Sequence, residues 1–388
     1  DGTFDVVEQY RDIEGGESMT RQTLPQTALG ATGLTVSRLG LGGFHQLEIS
    51  SEIVTQVVDA FLEEGGTYIE TARGYGNGAS EHKLGRALAG RRDHVVLASK
   101  SGARDGDGMR RDLEASLKAL QTDHIEFYFF HGVNTLEELD TITGKDGAME
   151  ALLQAKDEGL IRGMGFSSHR PPQLYLEAIK RIPLSVILIW DNYLEELYVP
   201  EIQQQVYPLA RDRGVGITAM KPLADGFFYR SPEPALRYAL GSGSDVLICG
   251  MNAVEHVYEA AAAIARGPAD ANERQAILRD APELGAYVCR QCGGCSEALR
   301  TLFRLEGYVD RQMIDYLPHD PADYALRLRL AHWFDLTGIA QQRFVEAGWD
   351  EAHLMSEARG VGCPYGIDVA RKAMLALAKL RGDRLNTL

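Results

Sequence analysis

Eight short apolar runs, separated by segments with helical periodicity, constrain the fold of this chain more than any other feature. The intervening segments, such as 51–66 and 108–120, place apolar side chains at i, i+3, i+4 and i+7, which is typical of amphipathic helices. Eight strand-helix units in succession predict a closed, parallel (β/α)8 barrel, in the α/β class. The runs begin near residues 37, 67, 94, 125, 161, 184, 215 and 245.

An open doubly wound sheet is the competing architecture. It is disfavoured because the first apolar run is not followed by the G-x-G-x-x-G turn of a dinucleotide-binding strand-helix unit. A barrel of roughly 250 residues leaves room in 388 residues for a second domain. We therefore divide the chain into an N-terminal extension (1–26), a barrel (27–266) and a C-terminal domain (267–388).

The C-terminal domain is predicted to be small and all-α. Its first part, residues 267–288, is polar and contains proline, so it is either a linker or a short connecting helix. Beyond it, the segments 322–334 and 369–380 have helical patterns, and no strand pattern follows.

The net charge and the composition limit which kinds of molecule this chain is expected to bind. The formal net charge is −15, whereas binding to a nucleic acid or an anionic membrane requires a basic surface. No apolar stretch approaches the roughly 18 to 20 residues that span a bilayer, and no secretory signal is evident, so a cytoplasmic location is expected. Small molecules and other proteins remain as partners.

Polar residues and glycines gather where the predicted strands end. In a parallel barrel these carboxyl ends meet at one rim, and the loops of that rim carry the chemistry. The site is therefore predicted at this mouth, near Gly42, Gly43, Glu70, Thr71, Lys100, His131, Ser167, Ser168, Lys221, Pro222 and Gly250.

Several motifs occur in a fixed order along the barrel. They resemble the aldo-keto reductases, specifically the subgroup with a C-terminal 4Fe-4S ferredoxin-type domain, and the resemblance covers nearly all of residues 27–388. The motifs are TGLTVSRLGLGG (32–43), YIETARGYGNGASEHKLGRAL (68–88), LASKSG (97–102), FFHGVNT (129–135), GMGFSSH (163–169) and AMKPLADG (219–226).

The resemblance implies a catalytic tetrad of Glu70, Tyr75, Lys100 and His131. Reducing a carbonyl requires a proton donor, and a phenol with a pKa of about 10 needs help at neutral pH. Lys100 is expected to lower the pKa of Tyr75, Glu70 to orient Lys100, and His131 to position the substrate oxygen or pass the proton. Glu70 stands where the family has Asp, which moves the carboxylate by about 1 Å.

The resemblance also implies a nicotinamide cofactor, NADP or NAD, and a small carbonyl or alcohol substrate. Two positions depart from the family pattern: Leu188 replaces a carboxamide-binding Gln, and Ala260 replaces an adenosine-contacting Asn. Asn252 occupies a place where a basic residue often binds the 2′-phosphate. The implied cofactor-binding residues are Gly43, Ser167, Ser168, Lys221, Pro222, Leu223, Gly226, Gly250, Asn252 and His256.

Four of the five cysteines suggest a metal centre. Cys289, Cys292 and Cys295 form a C-x2-C-x2-C run, and Cys363 is followed by proline, as in ferredoxins. A second run would need cysteines at positions 353, 356 and 359, which hold other residues. One 4Fe-4S cluster is therefore expected, with zinc as the rival because four thiolates also bind it. The fifth cysteine, Cys249, lies in the eighth apolar run and is expected in the core.

Three functions remain open at this level. In the first, the barrel is an oxidoreductase and the cluster passes electrons to or from a redox partner protein. In the second, the barrel is the enzyme and the cluster is structural. In the third, substitutions such as those at Leu188 and Ala260 have removed nicotinamide turnover, which leaves a redox-sensing or binding protein.

Overall fold

The computed structural model describes residues 24–310 and 337–383. Its centre is a closed barrel of eight parallel strands, which are numbered β3 to β10 because two short strands precede them in the chain. Around the barrel they follow the order β10-β3-β4-β5-β6-β7-β8-β9. All eight predicted strands are confirmed, each starting within two residues of its expected position. They are β3 (Leu39–Gly42), β4 (Tyr68–Glu70), β5 (Val96–Ser101), β6 (Ile125–Phe130), β7 (Ile161–Ser167), β8 (Leu184–Trp190), β9 (Gly216–Met220) and β10 (Val246–Gly250).

Helices surround the barrel because their apolar stripes pack against the outer faces of the strands. In the first helix, α1 (Ser51–Glu63), the buried side chains include Val54, Val57, Val58 and Phe61. The Ser50 side chain caps this helix by accepting a hydrogen bond from the Ile53 amide. The outer helices are α1 (Ser51–Glu63), α2 (Ala79–Ala87), α3 (Gly106–Leu120), α4 (Leu136–Thr143), α5 (Ala148–Asp157), α6 (Pro172–Arg181), α7 (Tyr193–Tyr198), α8 (Tyr207–Asp212), α9 (Pro232–Leu240) and α10 (Val254–Ala265).

An antiparallel hairpin, which the sequence analysis did not anticipate, precedes the barrel. Its strands are β1 (Gln26–Ala28) and β2 (Thr35–Ser37). Leu29 and Val36 are fully buried against inward-facing residues of the barrel such as Phe127. Buried Leu24 and the first hairpin strand show that residues 24–26 belong to the fold, which corrects the predicted boundary of the extension; residues 1–23 lie outside the described part.

The described residues after the barrel are helical, without strands in 267–310 or 337–383. Residues 267–288 contain a helix, α11, with an Asp270–Glu273 capping box, so this segment is more than a linker. The helix predicted at 369–380 is confirmed, whereas 322–334 lies outside the described residues. The helices are α11 (Ala271–Asp280), α12 (Glu297–Asp310), α13 (Thr337–Ala347), α14 (Glu351–Arg359) and α15 (Val369–Arg381).

Helix α12 joins the helical region to the barrel. A side chain at Gly307 would come within 2.2 Å of the Tyr198 ring, so α12 and α7 approach closely only because this residue is glycine. On its other side, α12 places Glu306 against Lys372 and Lys379 of α15, and all three side chains are buried. Within the described ranges, no helix is both long and apolar enough to span a membrane.

Candidate active site

Glu70, Tyr75, Lys100 and His131 meet at the barrel mouth. Glu70 is the last residue of β4, Lys100 lies near the end of β5, and His131 directly follows β6. Tyr75 comes from a short 3-10 turn, Tyr75–Gly78, after β4. Each side chain is therefore fixed by a hydrogen-bonded strand or the turn that follows it, as the sequence predicted for a barrel site.

The ammonium group of Lys100 has three protons and three acceptors. It donates to the Thr71 carbonyl at 2.7 Å, to the Tyr75 hydroxyl oxygen at 3.1 Å, and to the Glu70 carboxylate. All of its donors are thus used, and the Tyr75 oxygen acts as an acceptor toward it. The phenolic proton of Tyr75 is consequently directed away from Lys100 and can be donated to another group.

Burial dominates the protonation of this cluster. Burial raises the pKa of Tyr75 well above its usual range, and the Glu70 and Asp225 carboxylates add to the rise. The pKa of Tyr75 is therefore raised overall, and the lowering contribution expected from Lys100 stays a prediction. Burial also lowers the pKa of Lys100 and raises that of Glu70, while their ion pair opposes both shifts. Tyr75 thus holds its proton.

His131 is neutral at physiological pH. Burial, followed by the positive charges of Lys100 and Arg104, lowers its pKa to about 3. Its ring meets the Tyr75 ring edge-on, with centroids 5.6 Å apart, and the Phe44 ring also meets the Tyr75 ring edge-on, with centroids 5.2 Å apart. A neutral imidazole at this point can donate or accept a hydrogen bond to an oxygen without adding charge.

A cavity of about 760 Å³ opens above these residues. Glu70, Tyr75 and His131 line it, and Lys100 lies beneath them, fully buried. Most of the predicted cofactor-binding residues also line the cavity; they are Gly43, Lys221, Pro222, Leu223, Gly226, Gly250, Asn252 and His256.

Ser167 and Ser168 are not brought to the cavity surface. The Ser167 hydroxyl accepts a hydrogen bond from the Gly132 amide, and the Ser168 hydroxyl accepts one from the Arg170 amide. Both residues are buried, and His169 and Arg170 line the cavity beyond them. The predicted contact of these two serines with the cofactor stays a prediction.

The two departures from the family pattern differ in position. Leu188 is buried in the apolar interior of the barrel with Phe127 and Phe129 and does not line the cavity. Ala260 lies on α10 and does line it. Leu188 therefore contributes to the apolar core, whereas Ala260 presents a small apolar side chain to the cavity.

Several polar residues of the cavity were not predicted from the sequence. Asp225 pairs with Lys221 at 2.8 Å, and both side chains are largely buried. Lys221, Ala224 and Asp225 all have left-handed backbone, so this loop is tightly turned. The four-residue spacing of Lys221 and Asp225 was a possible signal. Glu48 and Glu259 also line the cavity, and no sequence pattern marked them.

The four clustered cysteines converge on one small cavity in the helical region. Cys289, Cys292 and Cys295 come from the loop before α12, and Cys363 comes from the connection between α14 and α15. Burial raises the pKa of the Cys289 and Cys295 thiols. All are free thiols, and Cys249 is buried in the barrel wall as expected.

In residues 24–310 and 337–383, no three His, Cys, Asp or Glu side chains come together closely enough to hold one metal ion. Zinc binds its four ligands at about 2.0–2.3 Å from one centre. The cavity also contacts Phe303, Pro364 and Tyr365, so its wall is apolar apart from the sulfur atoms and the nearby Arg290.

Comparison with known proteins is informative for the barrel. A family model described as the aldo/keto reductase family matches residues 38–237, which ends before the first of the four clustered cysteines. The oxidoreductase YrpG of Bacillus subtilis is 33% identical over 222 residues, covering 52% of this chain and 67% of that protein. A probable aldo-keto reductase of Glycine max is 28% identical, covering 54% and 62%. The chain thus spans about two thirds of the length of these relatives.

Solved structures agree with the fold. The holo form of aldo-keto reductase AKR11C1 from Bacillus halodurans is 27% identical, covers 67% of this chain and 97% of that one, and superposes with a TM-score of 0.59. An aldo-keto reductase from Klebsiella pneumoniae in complex with NADPH is 24% identical, covers 67% and 96%, and gives 0.56. The chain is therefore an oxidoreductase enzyme that belongs to the aldo/keto reductase family.

Proposed function

We propose that the chain reduces the carbonyl group of a small molecule with a nicotinamide dinucleotide, NADP(H) or NAD(H), or catalyses the reverse oxidation of an alcohol. The observation that carries this proposal is the arrangement around the Tyr75 hydroxyl. Its oxygen accepts from Lys100, and its proton is available to the cavity. The bound cofactor supplies the hydride, and the Klebsiella relative was solved with NADPH.

The cavity fits such a cofactor. Gly43, Gly226 and Gly250 line it without side chains, and a Cβ at Gly226 would meet no atom within 4 Å. Helix α10 begins at the cavity, and its N-cap residue Ala253 provides no side-chain cap, so amides of the first turn can donate to phosphate oxygens. We expect these backbone amides to bind the pyrophosphate of the cofactor.

Each of the four clustered residues has a separate role in the proposed reaction. Neutral His131 donates to or accepts from the substrate oxygen, and Tyr75 transfers its proton to that oxygen as negative charge develops. Lys100 stabilises the phenolate that is left, because its ammonium already contacts the phenolic oxygen. Glu70 keeps Lys100 charged and oriented by pairing with it.

Replacement of Tyr75 by Phe tests this function. We expect carbonyl reduction to fall by about 10²–10⁴-fold while cofactor binding is retained, since the hydroxyl alone is removed. Turnover of NADPH and NADH with a panel of aldehydes and ketones, and cofactor titration by fluorescence, would measure the two effects. Tyr258→Phe, on the exposed face of α10, is the matched control.

Two results would count against the proposal. If the Tyr75→Phe variant kept its activity, Tyr75 would not be the proton donor. Cofactor binding without turnover of any carbonyl or alcohol would instead favour a redox-sensing or binding protein on the same fold.

We also infer that Cys289, Cys292, Cys295 and Cys363 hold one 4Fe-4S cluster. In such a cluster each thiolate binds a different iron, so the sulfur atoms stand further apart than four ligands of one ion. The convergence of the four cysteines on one cavity supports this proposal. The spacing of the cysteines and the Cys363-Pro364 pair also favour a 4Fe-4S cluster.

A structural role for the cluster is favoured over electron transfer. It would connect the loop before α12 to the α14–α15 connection, two segments far apart in sequence. Cross-linking distant segments stabilises a small helical region by restricting its unfolded state. Exposed Cys292 leaves a route for electrons to a partner protein, which is the alternative role.

Anaerobic reconstitution with iron and sulfide tests the cluster. We expect about four irons and four sulfides per chain and absorbance near 400 nm in the wild type, and loss of both in Cys295→Ser. Cys249→Ala is the control because this thiol lies in the barrel. Binding of zinc alone would support the rival metal. Bleaching of the absorbance by NADPH and substrate would favour electron transfer over the structural role.

A further inference from the structure

The short turn that carries Tyr75 has an unusual backbone. Gly76, Asn77 and Gly78, which follow Tyr75 directly, all have positive φ, and a residue with a side chain adopts this region only at a steric cost. Within the turn the backbone hydrogen bonds are local, as in the bond from the Tyr75 amide to the Ala72 carbonyl. The position of the Tyr75 ring therefore depends on contacts between the turn and neighbouring elements.

Arg73, two residues before Tyr75, spans this turn with its side chain. Its Nη2 donates to the Asn77 carbonyl at 3.3 Å, and its Nη1 donates to the Glu81 carboxylate at 2.9 Å. The guanidinium also packs against Gly78, where a Cβ would come within 1.8 Å of Nη1. Neither Arg73 nor Glu81 lines the cavity, so both side chains act on the turn from outside the site.

Glu81 connects Arg73 to the strand that carries Lys100. It lies in the first turn of α2 and is fully buried, and its other carboxylate oxygen accepts from the Ser99 hydroxyl at 2.7 Å. Ser99 directly precedes Lys100 in β5, and successive side chains of a strand point to opposite faces. The ion pair therefore reaches one face of β5, while Lys100 contacts the Tyr75 hydroxyl from the other.

Two further interactions link the ion pair to Lys100. The Arg73 backbone amide donates to the Lys100 carbonyl at 2.9 Å. Burial lowers the pKa of Lys100, and the carboxylates of Glu70 and Glu81 oppose that lowering. The pair thus bears on both partners of the hydrogen bond between Lys100 and Tyr75, the charge of the ammonium and the position of the phenol.

We propose that the ion pair of Arg73 and Glu81 positions Tyr75 for proton transfer by fixing its turn to β5. Because they lie outside the cavity lining, the two are positioning residues rather than catalytic ones. The inference rests on the proposed function, in which Tyr75 donates the proton. A displacement of about 1 Å in a catalytic group can lower a rate by about 10²-fold. Loss of the pair should therefore slow the chemical step and leave the affinity for the cofactor unchanged.

Single-turnover kinetics of the full chain test the proposal. Enzyme preloaded with NADPH or NADH is mixed with benzaldehyde, and then with the other carbonyls of the turnover panel. The rate constant of cofactor oxidation reports the chemical step, whereas the amplitude reports the fraction of active enzyme. We expect Arg73→Met to lower the rate constant by about 10²-fold at unchanged amplitude and cofactor affinity. Arg73→Lys should be faster than Arg73→Met, because it keeps a charge opposite Glu81.

The double variant Arg73→Met/Glu81→Gln separates positioning from folding. It should be no slower than Arg73→Met alone, because both changes break the same ion pair. It also removes the buried charge that Arg73→Met leaves without its partner, so it is measured in place of the single variant if that variant does not fold.

Arg86→Met is the matched control, since it removes the same charge from the exposed surface of α2 and should leave the rate constant unchanged. A rate constant equal to that of wild type in the Arg73 and Glu81 variants, with or without a reduced amplitude, would overturn the proposal and leave the proposed function intact. Failure of wild type to oxidise either cofactor with any carbonyl, or a Tyr75→Phe variant as fast as wild type, would instead overturn the proposed function, and this inference with it.

Discussion

Lys100 and the four clustered cysteines are held by different kinds of structure. Lys100 lies in β5, which pairs with β4 over residues 96–98 and with β6 over residues 98–101. The cysteines lie in connections around α12, α14 and α15, and Gln291 and Gly293 within their loop have left-handed backbone. A strand in a closed barrel fixes a side chain without any ligand, whereas a loop of this kind depends on what binds to it.

Buried charged side chains also have different partners in the barrel and in the helical region. In the barrel, Lys100 is shared among Glu70, Thr71 and Tyr75, and the cavity is lined by Glu70 and Tyr75. In the helical region, Glu306 pairs with Lys372 and Lys379 between two helices, and the Tyr287 hydroxyl donates to Glu306 at 2.8 Å. The first network is open to a substrate, and the second joins helices. Substitutions in the barrel network should therefore reduce activity as well as stability, whereas those in the helical network should reduce stability and leave activity intact.

The largest effect is expected from Lys100→Met. It removes the ammonium from Tyr75 and leaves Glu70 buried without its partner, so activity should fall by about 10²–10⁴-fold and stability by about 3–5 kcal/mol. Steady-state turnover and urea unfolding would measure both. Lys118→Met, on exposed α3 surface, is the control. Retained activity would contradict the role of the barrel network.

Glu306→Gln should destabilise the helical region by about 3–5 kcal/mol, because two buried ammonium groups lose their shared carboxylate. Carbonyl reduction at the barrel should persist. Hydrogen exchange of residues 297–310 and a turnover assay would separate the regions, with exposed Glu297→Gln as the control. Parallel loss of activity would show that the two regions are coupled.

A smaller effect is expected from lowering the pH. His131 has a folded-state pKa of about 3, below its usual value, so the unfolded chain binds a proton first as the pH falls. Its contribution to stability is complete above about pH 6.5 and is lost at about 1.4 kcal/mol per pH unit below it. Urea unfolding at pH 7.5 and 5.0 should therefore show a loss of about 2 kcal/mol that His131→Gln lacks. An identical pH dependence in the variant would contradict the burial of a neutral His131.

The smallest effect concerns the junction of the two regions. Gly307→Ala should cost about 1–2 kcal/mol, because the new Cβ would lie 2.2 Å from the Tyr198 ring and forces α12 away from α7. Gly338→Ala is the matched control, since a Cβ there would meet no atom of the described residues within 4 Å. That change should be neutral or stabilise α13 by up to about 1 kcal/mol. Thermal unfolding of both variants measures the difference.

Much of the fold was predictable because its signals are local. The apolar period located all eight barrel strands, and the rim that they form gathered Glu70, Tyr75 and His131 as expected. The hairpin of β1 and β2 was missed because each strand has only three residues, too few to show a period. Lys372 and Lys379 would be expected on the solvent face of α15, but packing against Glu306 buries them.

The sequence by itself determined the barrel, its reactive rim and the spacing of the four cysteines, since periodicity and motif order are properties of neighbouring residues. Only the tertiary structure decided how the protons of Lys100 are shared, why burial raises the pKa of Tyr75, and that Glu81 joins Arg73 to Ser99. These outcomes depend on desolvation and on contacts between distant segments, which no local pattern records.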